Sequence, residues 1–196
     1  IFDHAYLLHD FLPSPIQTPV WELATNLDAK DQVAVFCSFS KVTFGGGGLA
    51  FATAGKKLFD LLSRQRASMI VCPDKVNQMR HLEFLKDKAG VLEHMEKHAE
   101  IVRPKFEVAF KALDVLSPEI GAYQKPTGGY FISFDAKRPI AKRVIELCKE
   151  VGVLITPAGS TYPHFHDPLD SNIRLAPTFL GVEDLQDAME VFVTAI

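Results

Sequence analysis

The feature that most constrains this chain is a run of five apolar residues without alternation, Val33-Ala34-Val35-Phe36-Cys37, which passes directly into Ser38-Phe39-Ser40-Lys41. A strand with one wet face alternates apolar and polar residues, so a short uninterrupted run predicts a strand covered on both faces, as in a mostly parallel sheet between helices. The segments around it agree. Residues 1–8 mix apolar and polar positions like a strand running into a loop, which puts Asp3 near the strand's carboxyl end, where open α/β sheets place their ligands. Residues 11–19 carry Pro13, Pro15 and Pro19 and predict a loop, followed by a short helix over 20–27. Residues 49–54 predict a second buried strand, and 56–66 a helix with Leu58, Leu61 and Leu62 on one side. Short strands alternating with helices predict an α/β fold.

From residue 73 to about 116 the pattern turns helical, with Met79, Leu82, Leu85, Leu92, Met95, Ala99, Val102, Phe106, Phe110 and Leu113 at three- and four-residue spacing. Gly90 and Pro104 are the candidate interruptions, since a proline in such a pattern predicts a kink or a break. A helix this long is suited to joining two domains. Beyond it the sequence predicts strands over 129–134, 153–155 and 173–176, a helix over 140–151, and a last helix from about 182 with Glu183 and Asp184 in its first turn. The second half therefore reads as a separate α+β unit.

Apolar residues make up 47% and charged residues 23% of the 196, which excludes disorder and disulfide scaffolds. The net charge of −3 provides no basic field, so neither nucleic acid nor a membrane surface is expected as a partner. Cys37, Cys72 and Cys148 lie far apart without a C-x-x-C pair, which fits a reducing cytosolic setting. No apolar run reaches the roughly 20 residues of a membrane helix. The first residue is Ile1, not methionine, and the first residues read as a strand already under way, so a fragment of a longer protein is expected.

Two glycine motifs fail as phosphate cradles. Gly55-Lys56-Lys57 lacks the glycine a P-loop needs upstream, and Gly45-Gly46-Gly47-Gly48-Leu49-Ala50 satisfies G-x-G-x-x-A by letter but leads into a strand, not a helix. The run instead predicts a turn where backbone passes close to something. Lys41 stands beside it, at a strand end between two serine positions and the glycines. A lysine desolvated there has its pKa lowered and can attack a carbonyl to form a Schiff base, while Ser38 and Ser40 offer hydroxyl and N–H donors to an anion. The histidines suggest less. His164 and His166 flank Phe165 in a proline-bearing stretch without a third metal ligand, and His94 and His98 lie one helical turn apart without the glutamate of H-E-x-x-H, which predicts a surface loop and a solvated helix face.

Five ordered segments carry a resemblance. Ser38-Phe39-Ser40-Lys41 resembles the S-x-S-K motif around the pyridoxal-phosphate lysine of fold-type I aminotransferases, and Asp3-His4-Ala5-Tyr6 resembles their upstream D-x-A-Y strand end. Gly128-Gly129-Tyr130-Phe131 resembles the G-G-Y-F segment of their substrate domain, and 153–159 and 172–176 resemble their closing strands. Within the class, Ser40-Lys41-Val42-Thr43-Phe44 and Ile173-Arg174-Leu175-Ala176-Pro177-Thr178-Phe179 look most like the MocR-like aspartate aminotransferase branch. The resemblance implies an α/β fold in which residues 1–90 are the C-terminal part of the large cofactor-binding domain and 91–196 are a long linking helix and a small α+β domain. It implies pyridoxal 5'-phosphate as cofactor, transfer of an amino group between an amino acid, aspartate by branch, and a 2-oxo acid such as 2-oxoglutarate, and a homodimer in the intact protein.

The implied roles run residue by residue. Asp3 would pair with the cofactor's pyridine nitrogen, Tyr6 would donate to its phenolate oxygen, and Lys41 would form the Schiff base and shuttle the proton. Ser38 would bind the phosphate, with Ser40 and Thr43 as weaker donors. Arg174 would clamp the substrate α-carboxylate, since an arginine inside an apolar strand otherwise needs a buried anionic partner. Two departures stand out. The type I pattern has a phosphate-binding arginine eight residues after the lysine, where this chain has Leu49, and the segments that precede the Asp3 strand in the family are not in this sequence. The chain alone is therefore expected to be poorly active. Two alternatives remain open: an effector-binding domain of a MocR-type transcription regulator, and a lyase or decarboxylase on the same scaffold.

Overall fold

The computed structural model describes residues 1–13 and 19–196. The loop expected over 11–19 falls largely on residues 14–18, outside the described residues. The chain divides into two compact units, Ile1–Lys97 and His98–Ile196.

The first unit is built on a three-stranded sheet in the order β1-β2-β3, with β1 at Phe2–Asp3, β2 at Ala34–Ser38 and β3 at Ala50–Ala54. β1 runs parallel to β2, setting Asp3 opposite Phe36, and β3 returns antiparallel with Ser38 opposite Ala50. Helices α1 (Val20–Asn26), α2 (Lys56–Met69) and α3 (Lys75–Leu85) complete it with the first part of α4 (Lys88–Leu113). The expected strands and helices are present, but the expected burial is not. Ala50 to Thr53 of β3 are exposed, only Ala34 of β2 is fully buried, and α2 buries no residue. The apolar character of these strands exceeds the cover that the described residues give them.

The long helical pattern breaks once, and neither expected interrupter is the place. α3 ends at Leu85, Lys86 takes φ of 63°, and Asp87 then caps α4 by accepting from the Gly90 N–H at 2.9 Å. Gly90 lies inside the first turn of α4, and its role is spatial: a Cβ there would run into the Leu85 carbonyl. Pro104 sits within α4 without ending it. The proline removes one i→i−4 bond, but Val102, Phe106, Ala109, Phe110 and Leu113 around it are all buried, and such packing supplies most of a helix's stability in a folded protein.

The second unit packs α4, α5 (Ala141–Glu150) and α6 (Val182–Ala195) with an antiparallel sheet β4-β5-β6, with β4 at Gly121–Tyr123, β5 at Ile132–Ala136 and β6 at Asn172–Leu175. β5 alternates, Ile132, Phe134 and Ala136 facing the core. Phe134 meets Phe192 edge to face at 5.7 Å. β4 was not legible, because three residues of which Gly121 and Ala122 are poor strand formers give no alternation to read; its glycine is required because a Cβ would strike the Phe134 ring. The strand expected over 153–155 forms no ladder. The register of β6 is fixed by polar groups. Asp167 accepts from the N–H groups of Leu169, Ser171 and Asn172 at 2.8–2.9 Å, and the Asn172 amide donates to Ser133 and Asp135 of β5.

Candidate active site

β2 ends at Ser38 and the chain then makes one tight turn, with the N–H groups of Val42 and Thr43 both donating to the Phe39 carbonyl at 3.0 Å. Lys41 stands exposed on this turn and Val42 is buried under it. The desolvation expected of Lys41 is therefore not supplied by the described residues. The glycine run closes the turn from behind: Phe39 N–H donates to the Leu49 carbonyl at 2.8 Å, and a Cβ on Gly48 would lie 2.6 Å from the Ser40 Cα. Gly46 takes φ of 77°, whereas Gly45 faces open space. The backbone that approaches these glycines is thus the lysine turn itself.

Asp3 leaves β1 next to this turn. Because β1 and β2 are parallel neighbours, their carboxyl ends lie at the same edge of the sheet, and the His4 N–H extends the pairing to the Phe36 carbonyl at 2.7 Å. The Asp3 carboxylate accepts from the Ala5 N–H at 2.9 Å. Tyr6 is half-buried and opens a turn closed by the His9 N–H on the Tyr6 carbonyl, with the two rings edge to face at 5.2 Å. His9 Nε2 donates to the Lys41 carbonyl at 3.1 Å, so the Tyr6 turn and the lysine turn are joined through an imidazole. Burial holds the His9 pKa below its ordinary value, against the opposing pull of its backbone hydrogen bonds.

Three more residues grip the lysine turn, and none was singled out in the sequence for that role. His94 Nε2 of α4 donates to the Val42 carbonyl at 2.6 Å. His81 of α3 is buried, with Nε2 2.7 Å from the Thr43 hydroxyl, and Asn77 donates its amide to the Gly47 carbonyl at 2.7 Å. The solvated face expected for His94 and His98 is therefore wrong: both rings are half-buried, and His98 lies 2.8 Å from the Tyr130 hydroxyl. Their spacing recorded only a shared helix side; the groups they meet come from distant segments. Thr43 is also reassigned, since its hydroxyl is engaged by His81 and lies 3.1 Å from the Phe39 carbonyl, leaving it unsuited to an added anion. His164 and His166 lie exposed in a loop, and no group of three metal-ligating residues exists among the described residues.

Ser38, Ser40, Lys41, Asp3 and Tyr6 all belong to the first unit, and Arg174 to the second. Arg174 faces Ser133 across β6 and β5, with its guanidinium carbon 4.6 Å from the centre of the Phe131 ring. It forms no ion pair with any described residue, and its Nε is buried without a hydrogen-bond partner. A structural salt bridge is thus excluded among the described residues, and a buried donor remains that suits a carboxylate. Arg174 shares a small pocket with Val153, Leu154, Ile155 and Thr156, the segment that forms no ladder with the sheet.

The comparisons with known proteins follow the same lines. The profile of the aspartate amino-transferase family matches residues 1–196. An aspartate aminotransferase of Corynebacterium glutamicum is 37% identical over 202 residues, covering 100% of this chain and 46% of that protein. A solved structure of an aspartate transaminase from that species superposes with a TM-score of 0.92 at 34% identity, over 99% of this chain and 46% of the other. LysN, an α-aminoadipate aminotransferase from Thermus thermophilus solved with N-(5'-phosphopyridoxyl)-L-leucine, gives 0.81 at 26% identity over 98% of this chain and 48% of its own. The transcriptional regulator NorG of Staphylococcus aureus is 24% identical over 164 residues, 83% of this chain and 36% of that protein. The chain spans about half the length of these aspartate aminotransferase relatives.

Proposed function

Because the chain belongs to the aspartate amino-transferase family and shares the fold-type I architecture of its solved relatives, we propose that it carries the lysine side of a pyridoxal 5'-phosphate-dependent transaminase. The observation that carries this reading is the meeting of Asp3 and the Lys41 turn at the carboxyl ends of two adjacent parallel strands. The complete protein, in this reading, is a cytosolic homodimer that moves an amino group between aspartate and 2-oxoglutarate, with neither nucleic acid nor membrane as partner.

The donor set fits the cofactor. It offers a carboxylate for a ring N–H, a phenol for a phenolate oxygen, an amine for an aldehyde and hydroxyls for a phosphate, all in one unit. When bound, pyridoxal 5'-phosphate supplies an aldehyde that condenses with amines and a protonated ring that accepts the electrons released at the substrate's α-carbon. The Asp3 carboxylate would hold the proton on the ring nitrogen. Tyr6 would donate a hydrogen bond from its hydroxyl to the phenolate oxygen. Ser38 is the first phosphate donor and Ser40 the second, and they carry more of that load because Leu49 has no charge to contribute. Lys41 Nζ would be the base that takes a proton from the substrate's α-carbon and the acid that gives it back. Arg174 fixes the substrate carboxylate with its planar fork.

Incubation with pyridoxal 5'-phosphate, borohydride reduction and peptide mapping tests this reading. A single adduct on Lys41 supports it; labelling spread over surface lysines, in this chain and in its full-length parent alike, refutes it. The similarity to NorG favours a second reading, an effector-binding domain of a regulator. Amino-group transfer from aspartate to 2-oxoglutarate by the full-length protein, lost in Lys41→Ala, separates the enzyme from that alternative.

A further inference from the structure

The turn that carries Lys41 has few backbone bonds of its own, and side chains from three other segments complete it. Of these, His81 makes the most varied contacts. Its ring is 3% exposed, lies nearly parallel to Phe39 with centroids 6.0 Å apart, and meets Phe44 edge-on at 5.3 Å. It therefore touches the residues on both sides of Lys41. Its hydrogen bonds have a definite sense. Nδ1 lies 2.9 Å from the Asn77 carbonyl, which can only accept, so Nδ1 carries the proton and Nε2 of the neutral ring is an acceptor. The Thr43 hydroxyl, 2.7 Å away, is then the donor. The Phe39 carbonyl, 3.1 Å from the same hydroxyl, is the alternative acceptor, but it already takes the Val42 and Thr43 N–H groups, and the contact to Nε2 is the shorter at 2.7 Å.

We infer that His81 is a positioning residue for Lys41: by accepting from Thr43 and packing against Phe39 and Phe44, it fixes the single turn that presents the amine. This deepens the reading of Lys41 as the cofactor lysine and rests on it for its consequence, but not for its geometry. Asn77 anchors the ring through its carbonyl and the glycine run through its amide, so α3 holds both ends of the loop. The imidazole is thus fixed before it fixes Thr43.

The test uses side chains that copy one ring nitrogen at a time. In His81→Asn the amide reaches the Asn77 carbonyl but falls short of Thr43, whereas in His81→Gln it reaches the Thr43 hydroxyl. Thr43→Val keeps the shape and removes the donor. Amide hydrogen exchange of the peptide spanning 39–44, with thermal unfolding as the control for global stability, reads the turn without any cofactor. Exchange at Thr43 is expected to rise roughly fivefold in His81→Asn and in Thr43→Val, the worth of one hydrogen bond, to return near the parent rate in His81→Gln, and to rise no further in His81→Asn combined with Thr43→Val. Equal exchange in His81→Asn and His81→Gln, or additive effects in the double variant, overturns the inference. Borohydride trapping on the parent chain runs alongside. If the parent gives no Lys41 adduct while the exchange cycle holds, the cofactor reading fails and the positioning contact stands; if the parent labels Lys41 and the cycle is additive, only the inference falls.

Discussion

The two units of this chain are held together in different ways. In the second, large apolar side chains close on one another: Phe106, Ile132, Phe134, Ile173 and Phe192 are at most 1% exposed. In the first, Phe51, Phe59, Met69 and Met79 are open to solvent, while two of its buried groups are the imidazoles of His9 and His81. Apolar packing is non-directional and tolerates small shifts, whereas a hydrogen bond fixes a distance and an angle. The lysine turn in the first unit is thus set by directional bonds, whereas the second unit adds a closed apolar core to the polar bonds of Asp167 and Asn172 that fix the register of β6.

The sharpest way to break that contrast is to truncate one ring in each unit. Phe134→Ala is expected to destabilise the second unit by about 3–5 kcal/mol, read by urea unfolding, because a filled core site becomes a cavity. Phe51→Ala in β3 is expected to change stability by roughly 0.5 kcal/mol or less, since its ring is already half exposed. Equal effects would remove the distinction. Within the lysine loop the glycines divide in the same manner. Gly48→Ala, which would force a Cβ against Ser40, is expected to cost about 1–3 kcal/mol and to abolish selective trapping at Lys41. Gly45→Ala, with nothing within 4 Å, is expected to leave trapping unchanged.

A smaller effect separates the units by pH. The buried His9 has its pKa held below the ordinary 6.5, so in the window just under that value the unfolded chain binds more protons than the folded one. Stability of the first unit should therefore fall as pH drops from about 6.5 and level off below the folded value. For Asp167, burial pushes the pKa up, but hydrogen bonds from the N–H groups of Asn172, Leu169, Ser171 and Asp170 outweigh it and hold the carboxyl below the usual 3.8. Its contribution is complete above 3.8 and is lost only as pH falls through the lower folded value. Hydrogen exchange between pH 7 and 5 should accordingly loosen the peptides around His9 and Lys41 before those of β6. The reverse order would show that His9 does not govern the turn. His9→Gln, which keeps a donor near the Nε2 position, should flatten the response.

Much of this was legible in the sequence for simple reasons. The run from Val33 to Cys37 and the serine and lysine after it encode a strand and a turn locally, and the alternation of helical and strand periods encodes the order of elements. Asp3 and Lys41 stood out as candidates because each stands at a strand end within a short motif, 3–6 and 38–41, that resembles a family's. The partners of the lysine turn were not legible. His9, His81 and His94 have no local signal, since what each does depends on a carbonyl or hydroxyl 32, 38 or 52 residues away. The break between α3 and α4 escaped for a related reason: proline and glycine propensities pointed to residues 104 and 90, and packing and an aspartate cap decided otherwise.

The sequence by itself determined the period of each segment, the residue types at the strand ends and the resemblance that ties them to a family, because these are properties of short stretches of chain. Only the tertiary structure decided that β1 and β2 would be parallel neighbours, that three imidazoles would close on the lysine turn, and that Arg174 would keep a buried donor in reserve. Those are matters of which distant groups meet, and a hydrogen bond or a buried ring has meaning only once its partner is in place.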